Sequence, residues 1–278
     1  MDGGVGGGAA DGESPGRLLI IGGAEDRRCD GGLLESFTTL CGGEFARIVL
    51  VTTATGEPGQ VHAEYEQVFR KLGAGQVSGL RLRGRADADS DEAAAALADA
   101  TGVFFSGGDQ SRLLTLVGSR AADVLHDRHA RGLVVGGTSA GATALGQSMI
   151  LSGTGAGVSV AAVRTGPGLS LMPTSLIDMH FGERARLPRM LSAIALDPRQ
   201  LGVGIDENTA VLAGPDGFEV LGTGVVTVVD AQDAAVVHAA GNWDPVTLFG
   251  VRLHLLPAGC LFDFATRAPS IGPGHDRY

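Results

Sequence analysis

Residues 133–142 read LVVGGTSAGA and contain the strongest structural signal in the chain. An apolar strand at 133–136 runs directly into the pattern G-x-S-x-G centred on Ser139, and small residues that favour a helix follow. A serine at such a sharp turn adopts a strained backbone that lifts its hydroxyl above the sheet edge. Gly137 and Gly141 are needed because side chains there would collide with the neighbouring strand and helix. The pattern predicts a nucleophilic Ser139 or, alternatively, a plain turn with Ser139 as the helix N-cap.

A second strand-to-helix turn lies upstream, at 103–110 (VFFSGGDQ). The glycines let a backbone amide approach a ligand closely, so we expect the amides of Gly108 and Ala140 to form an oxyanion hole beside Ser139. The alternative is an ordinary helix N-terminus capped by Asp109. A phosphate-binding loop fits poorly, because no Lys-Ser or Lys-Thr pair follows the glycines.

Short apolar runs alternate with helical patterns through the first half of the chain. Strands are predicted at 17–21, 47–53, 77–81, 103–106 and 133–136. Helical spacing occurs between them, at 33–40, 61–72, 91–99 and 121–131. This alternation predicts an α/β fold, a three-layer sandwich with a mostly parallel sheet and helices on both faces. After about residue 202, short strands separated by turns predict extra β hairpins near the C-terminus.

The composition indicates one domain with a tail at each end. A chain of 278 residues with 44% hydrophobic positions can bury one large core. The Gly-rich start and the Pro- and Gly-rich end predict a disordered tail at 1–16, a single catalytic α/β domain at 17–267 and a C-terminal tail at 268–278. The chain has three cysteines, Cys29, Cys41 and Cys260. Their number is odd and their spacing fits no zinc site, which indicates free thiols in a reducing compartment.

The charge balance and the N-terminus restrict the possible partners. The chain carries a formal net charge of −10, which disfavours nucleic acid or an anionic membrane as the main partner. No apolar run reaches the roughly 18 residues of a membrane span, and the N-terminus lacks the basic start and apolar stretch of a signal peptide. We therefore expect a cytoplasmic protein with no nucleic-acid and no membrane partner.

A nucleophilic serine needs a base, usually a histidine that is held by a carboxylate. Among seven histidines, His180 stands apart because it follows an apolar stretch at an expected strand end; a purely structural histidine is the alternative. No Asp or Glu occurs between 139 and 177, so the acid lies after this range or in the first half of the chain. Asp206 and Glu207 fall at a turn beside a short strand. We favour Glu207, with Asp206 as the runner-up that could instead stabilise the turn.

Three arginines follow the candidate base within one short segment, at Arg184, Arg186 and Arg189. Their guanidinium groups repel one another unless something anionic is bound, and arginine is well suited to bidentate capture of a carboxylate. The segment therefore predicts a site for an anionic group of a ligand. A solvated face paired with Glu183 is the alternative.

Six segments are informative together. They are GGAEDR (22–27), RIVLVTTAT (47–55), FFSGGDQ (104–110), GGTSAGA (136–142), DMHFGERARLPRML (178–191) and GIDENTAVL (204–212). In order and spacing they resemble the cyanophycinase family of serine peptidases, relatives of the aspartyl dipeptidases, over about residues 17–265. The resemblance implies a class I glutamine-amidotransferase-like sandwich and a triad of Ser139, His180 and Glu207. No cofactor and no metal are expected.

The resemblance also implies a substrate. Family members cleave β-Asp-Arg units from the end of cyanophycin, a poly-aspartate that carries an arginine on each side-chain carboxyl. By the same resemblance the substrate pocket is lined by Gln110, Asp178, Arg184, Arg186 and Arg189. We also expect Asp109, beside Gln110, to bind the substrate. Asp178 would pair with a substrate guanidinium, and an arginine would hold a free carboxylate.

One departure from the family pattern and two alternative functions remain. Met179 stands where the family usually has Gln, and methionine cannot make the hydrogen bonds of an amide. The triad does not depend on this position, whereas polymer specificity could. The alternatives are an aspartyl or isoaspartyl dipeptidase that does not act on the polymer, and a non-catalytic binding protein for an arginine-containing peptide. Because the family commonly forms dimers, the resemblance also implies a homodimer.

Overall fold

Seven α-helices and seventeen strands make up the part of the chain that the computed structural model describes, which is residues 14–27, 32–153, 157–237 and 245–273. The helices are α1 Leu33–Leu40, α2 Pro58–Lys71, α3 Arg85–Ala88, α4 Asp91–Ala98, α5 Arg120–Ala130, α6 Ala140–Thr143 and α7 Leu187–Leu196. The 3₁₀ helices are Gly43–Phe45, Gln110–Thr115 and Val160–Ala162. The strands are β1 Leu18–Ile21, β2 Arg47–Val51, β3 Gln76–Leu80, β4 Gly102–Phe105, β5 Val134–Thr138, β6 Gly146–Gly153, β7 Val163–Pro167, β8 Met172–Met179, β9 Leu201–Ile205, β10 Thr209–Ala213, β11 Gly217–Gly222, β12 Val225–Asp230, β13 Ala235–Val237, β14 Thr247–Phe249, β15 Arg252–Pro257, β16 Cys260–Asp263 and β17 Ala268–Ile271.

The larger sheet has nine strands in the order β17-β16-β11-β10-β1-β5-β4-β2-β3. The five strands from β1 to β3 in this order are parallel to one another, as the alternation of strands and helices predicts. Their runs are largely apolar, LLII in β1 and RIVLV in β2, because a strand covered on both faces buries both sets of side chains. The remaining four strands extend the sheet beyond β1 through antiparallel pairs.

Helices cover both faces of this sheet. On one face α1 and α2 pack through an aromatic cluster, in which the ring centroid of Phe104 lies 5.2 Å from those of Phe37 and Tyr65. Aromatic pairs of this kind add about 0.5–1.5 kcal/mol each to the effect of area burial. On the other face α4 and α5 contribute Leu97 and Leu125 to a second core cluster. The predicted fold class is confirmed.

A second sheet of six strands shares this second core cluster. Its order is β15-β12-β9-β8-β6-β7, and Ile177 of β8 and Val203 of β9 pack in the same cluster as Ile20 of β1. Helix α7 covers its opposite face. The sequence predicts hairpins after residue 202 but neither β6 nor β7. Those strands read GQSMILSG and VRTGP, which show neither strict alternation nor a continuous apolar run.

The folded part of the chain extends past the predicted boundary at residue 267. Strand β17 lies within the predicted C-terminal tail and pairs antiparallel with β16. All its residues are exposed, so no apolar pattern marks it in the sequence. Near the other end, the Gly16 N–H donates to the carbonyl of His129 over 2.7 Å. Residues 1–13 and 274–278 lie outside the described residues, and the division into two tails and one domain otherwise stays a prediction.

Two of the three cysteines lie in the described part of the chain, and both are free thiols. Cys41 is buried, which raises the pKa of its thiol, and Cys260 is half-buried. Cys29 falls outside the described residues. Across the ranges given above, no helix combines the length and the apolar character that crossing a membrane requires.

Candidate active site

Ser139 occupies the turn between β5 and α6 in a strained backbone conformation, with φ 50° and ψ −119°. Its N–H donates to the carbonyl of Ile21 at the end of β1, 3.1 Å away. The flanking glycines leave no room for side chains. A Cβ on Gly137 would lie 2.7 Å from the carbonyl carbon of Gly141, and one on Gly141 would lie 2.6 Å from that of Phe105. The chain therefore makes a sharp turn at the G-x-S-x-G pattern, with Ser139 partly exposed.

The imidazole of His180 lies beside the serine hydroxyl, with 2.9 Å between His180 Nε2 and Ser139 Oγ. His180 directly follows β8, is buried, and has a positive φ of 48°. Its backbone N–H donates to the carbonyl of Gly22 over 2.9 Å, which holds this turn against the end of β1. Gly23 touches the ring: its φ is +104°, and a Cβ there would stand 2.6 Å from Nε2. Only glycine adopts this φ without strain and also leaves room for the imidazole.

Glu207 reaches the same imidazole from the turn after β9. Its Oε1 lies 2.6 Å from His180 Nδ1. When Nδ1 carries the ring proton and donates a hydrogen bond to this carboxylate, Nε2 is left to accept the proton of Ser139. Asp206, the runner-up acid, accepts hydrogen bonds from two backbone N–H groups instead, at 2.8 and 3.1 Å. Asp206 stabilises the turn, and Glu207 is the acid that contacts the histidine.

The predicted oxyanion donors lie in two turns that meet at Ser139. A Cβ on Gly107 would be 3.3 Å from the Ser139 Cβ, so the backbone after β4 passes directly beside the serine. Gly108 has φ +143°, and a Cβ on it would lie 2.5 Å from the carbonyl carbon of Ala54. Its N–H donates to no acceptor within the described ranges. Ala140 is the first residue of α6, where an N–H has no partner inside the helix.

Two of the three arginines bind a carboxylate of the protein itself. Asp178 is buried, and its Oδ1 lies 3.0 Å from Arg186 Nη1 while its Oδ2 lies 2.6 Å from Arg189 Nε. Arg189 also contacts Asp178 through Nη2. The sequence-based expectation left Asp178 available to a guanidinium of the substrate, whereas the structure pairs it with two guanidinium groups. Glu183 accepts instead from the backbone N–H of Glu207, over 3.1 Å.

The arginine cluster, which consists of Asp178, Arg184, Arg186 and Arg189, is positive overall. Burial lowers the pKa of Arg186; the Asp178 charge opposes this, and the Arg189 and Arg184 charges reinforce it. One carboxylate among three guanidinium groups leaves the cluster with an excess of positive charge, and Arg184 is exposed. The arrangement favours an anionic group of a ligand over a second cation.

The remaining predicted pocket residues have partners within the protein. Asp109 caps the 3₁₀ helix that follows it and accepts from the hydroxyl and the N–H of Ser111, at 2.7 and 2.9 Å; these bonds lower its pKa. Gln110 Nε2 donates to the carbonyl of Ile150 over 2.7 Å. Met179 is buried in the core between the two sheets. Asp109 is exposed and Gln110 half-buried.

A buried carboxylate behind the serine turn was missed from the sequence. Glu25 is 5% exposed and accepts from the hydroxyl of Thr138, over 2.6 Å, and from that of Tyr65. The available signal was its position within GGAEDR, directly after a buried strand of a parallel sheet. Functional groups of open α/β sheets collect at the carboxyl ends of such strands.

A serine at a sharp strand-to-helix turn, in contact with a histidine that is itself held by a carboxylate, is the arrangement of the serine-type hydrolases. The profile of Peptidase family S51 matches residues 18–221, and the chain belongs to that family. It is therefore a peptidase of the serine type, and the class I glutamine-amidotransferase-like fold that the sequence implies is confirmed.

The curated relatives include several proteins named cyanophycinase. The chain is 38% identical over 258 residues to the Synechococcus elongatus protein, covering 90% of this chain and 80% of that one. It is 36% identical over 257 residues to the Trichormus variabilis protein, covering 90% and 86%, and 34% identical over 261 residues to the Geminocystis herdmanii protein, covering 92% and 96%. A solved peptidase from an acI-B1 Actinobacterium shares the fold with a TM-score of 0.67 at 24% identity, over 91% of this chain and 98% of that one.

Proposed function

We propose that this chain is a serine exopeptidase that hydrolyses cyanophycin to β-Asp-Arg dipeptides through an acyl-enzyme. The relatives named cyanophycinase, at 34–38% identity over about nine-tenths of the chain, support the substrate. The reaction rests on the two contacts of His180, 2.9 Å from Nε2 to Ser139 Oγ and 2.6 Å from Nδ1 to Glu207 Oε1. These contacts make the serine a nucleophile with its base already in place.

The reaction follows from the positions of these groups. His180 Nε2 takes the hydroxyl proton as Ser139 Oγ attacks the carbonyl carbon of the scissile peptide bond. Glu207 stabilises the imidazolium, which gives its proton to the leaving amine as the C–N bond breaks. Water then loses a proton to His180 and attacks the acyl-enzyme ester, which releases the carboxylic product and restores the serine hydroxyl.

The amides of Gly108 and Ala140 are proposed to bind the oxyanion of both tetrahedral intermediates. Both N–H groups belong to turns that flank Ser139, and neither is needed to hold its own turn. Because such donors act where charge develops, the loss of one costs about 100–1,000-fold in rate.

Substrate binding is assigned to the arginine cluster and to Asp109 and Gln110, which follow the proposed oxyanion donor Gly108. The positive excess of the cluster suits a free carboxylate of the substrate. Asp178 is buried and already paired with two arginines, so we assign it mainly to holding Arg186 and Arg189 in place. Asp109 is exposed, and both of its bonds from Ser111 use Oδ1, which makes it the better partner for the arginyl group of the substrate.

The remaining parts of the proposal concern the setting of the enzyme. We propose a single catalytic domain, active without metal or cofactor, in a cytoplasmic homodimer that binds neither nucleic acid nor membrane. The acidic net charge disfavours nucleic acid and anionic membranes as partners, and the family resemblance supports the homodimer. Light scattering on the purified protein tests the dimer directly, and a monomer mass would refute that part alone.

The test is incubation of the purified protein with insoluble cyanophycin, with the soluble products identified by mass spectrometry. We expect β-Asp-Arg from the wild type and none from Ser139→Ala. Ser90→Ala is the matched control, because Ser90 caps α4 through the N–H of Ala93 and lies outside the site. Activity of Ser139→Ala near the wild-type level would overturn the assignment of the nucleophile.

Other outcomes of the same assay separate the alternative functions. An aspartyl or isoaspartyl dipeptidase would release nothing from the polymer yet hydrolyse β-Asp-Arg or α-Asp dipeptides. A non-catalytic binding protein would hydrolyse neither and would not react at Ser139 with a serine-directed fluorophosphonate.

A further inference from the structure

A buried polar cluster lies behind Ser139 and takes no direct part in the proposed reaction. Its centre is the carboxylate of Glu25, whose side chain is 1% exposed. Glu25 Oε2 accepts from the hydroxyl of Thr138 over 2.6 Å, and Oε1 accepts from the hydroxyl of Tyr65. Arg27 lies 3.4 Å from the same Oε1 and places its guanidinium 4.5 Å from the centroid of the Tyr65 ring. A buried carboxylate is tolerated only when it is compensated in this way.

The segment that carries Glu25, residues 21–26, accepts backbone hydrogen bonds from two triad residues and from the residue that follows the third. The carbonyls of Gly22 and Gly23 accept the backbone N–H groups of His180 and Asn208, at 2.9 and 2.8 Å. Asn208 directly follows the triad glutamate. The carbonyl at the start of the segment accepts the N–H of the triad serine, as described above. One short segment therefore joins three parts of the chain that are distant in sequence.

We infer that Glu25 is a positioning residue that aligns the triad. Through the hydroxyls of Thr138 and Tyr65 it fixes residues 21–26 against β5 and α2, and this fixes Ser139 Oγ relative to His180 Nε2. The inference rests on the proposed function, since alignment matters only if these groups are catalytic.

The location of the Thr138 hydroxyl distinguishes alignment from ordinary packing. The buried Thr38, for comparison, donates to the carbonyl of Leu34 over 2.8 Å, so its hydrogen bond stays within its own helix and joins no other part of the chain. Thr138 instead donates to a carboxylate 113 residues away in sequence and directly precedes Ser139. A strained residue keeps its conformation only where its surroundings over-determine it, and this bond is one of the constraints on that turn.

The experiment compares Thr138→Val, which removes the hydroxyl at nearly constant shape, with Thr138→Ser, which keeps it. Thr38→Val is the matched control for the loss of a buried threonine hydroxyl. The protein is titrated with an aryl fluorophosphonate to count active sites, and kcat per titrated site and KM are measured on a soluble oligomer of β-Asp-Arg units. Thermal unfolding is followed in parallel.

We expect Thr138→Val to lower kcat per titrated site by about 10–100-fold, with KM changed less than about threefold, because small misplacements of reacting groups act on rate. Thr138→Ser and Thr38→Val stay within about threefold of wild type in kcat per site. If Thr138→Val only lowers the thermal midpoint or the number of titratable sites, with kcat per site unchanged, Glu25 is merely structural and the inference is wrong.

Two further variants make the result decisive. Should Thr138→Val fail to give soluble protein, Tyr65→Phe removes a different donor from the same carboxylate, and an unchanged kcat per site there equally overturns the inference. Ser139→Ala is assayed on the same oligomer. Activity of Ser139→Ala would refute the proposed function, whereas an inactive Ser139→Ala beside a fully active Thr138→Val would refute the positioning role alone.

Discussion

Gly23→Ala is expected to disable the active site although it replaces none of the catalytic residues. A Cβ at this position would stand 2.6 Å from His180 Nε2, whereas ordinary van der Waals contact begins at 3.4 Å. The ring must therefore move by about 1 Å, because two atoms at the shorter separation repel strongly. Such a shift breaks the 2.9 Å and 2.6 Å contacts of the imidazole with Ser139 and Glu207.

The expected loss follows from the size of this displacement. A misplacement of about 1 Å lowers the rate by roughly 100-fold, which corresponds to about 2.7 kcal/mol of transition-state stabilisation. Gly23 also has φ +104°, and an alanine held in this left-handed region costs roughly 1–2 kcal/mol of folding free energy. The variant should therefore lose activity by more than its stability explains.

Gly73→Ala separates the two effects. Gly73 has a similar φ of +89°, but a Cβ there meets nothing within 4 Å. We expect it to lose stability to a similar extent and to keep its activity. kcat/KM on a soluble β-Asp-Arg oligomer and the free energy of unfolding in urea are measured for both variants. If Gly23→Ala is no less active than Gly73→Ala, the ring does not depend on the space that glycine leaves, and the reasoning is refuted.

Four other variants test the roles of individual charges. Glu207→Gln should lower kcat by about 10,000-fold because it cannot stabilise the imidazolium, whereas Asp206→Asn should reduce the free energy of unfolding and largely preserve kcat. Arg189→Met should reduce the free energy of unfolding by about 3–5 kcal/mol in urea titrations, because it leaves the buried Asp178 with one arginine fewer. Although burial acts in the other direction, hydrogen bonds from a backbone N–H and two arginines hold the pKa of Asp230 below its usual range. The Asp230 carboxylate therefore stabilises the fold above the unfolded pKa of about 3.9, and this stabilisation is lost as the pH falls through the folded pKa. The thermal unfolding midpoint of the wild type should therefore fall more steeply with acid than that of Asp230→Asn.

Each of these expectations has a clear contrary result. Equal kcat for Glu207→Gln and Asp206→Asn would mean that the contact with His180 is not functional. An unfolding free energy of Arg189→Met at the wild-type value would show that the pair contributes nothing. If the unfolding midpoints of the wild type and Asp230→Asn fall in parallel as the pH is lowered, the charge of Asp230 does not stabilise the fold.

The sequence predicts the elements whose signals are local. Strand β5 and the turn after it are readable because an apolar run meets a glycine pattern that tolerates only one geometry. Position and resemblance favour Glu207 over Asp206 as the acid. Only the folded structure shows that Glu207 contacts the histidine whereas Asp206 binds backbone N–H groups.

The features that the sequence does not predict depend on contacts between distant parts of the chain. Strands β6 and β7 form from mixed polar and small residues because neighbouring strands complete their hydrogen bonds. The pairing of Asp178 with Arg189 is equally invisible, since an arginine-rich segment suggests a ligand unless the position of the carboxylate is known. The bond between Glu25 and Thr138, 113 residues apart, has the same character.

Covalent labelling of Ser139 is the measurement on which the account of the active site depends most directly. The wild type is treated with an aryl fluorophosphonate, and the modified peptide is identified by mass spectrometry, with His180→Ala in parallel. One adduct at Ser139 in the wild type, formed far more slowly in His180→Ala, is the predicted result. No adduct at Ser139 in a preparation that degrades cyanophycin, or equal labelling rates in the two proteins, would contradict it.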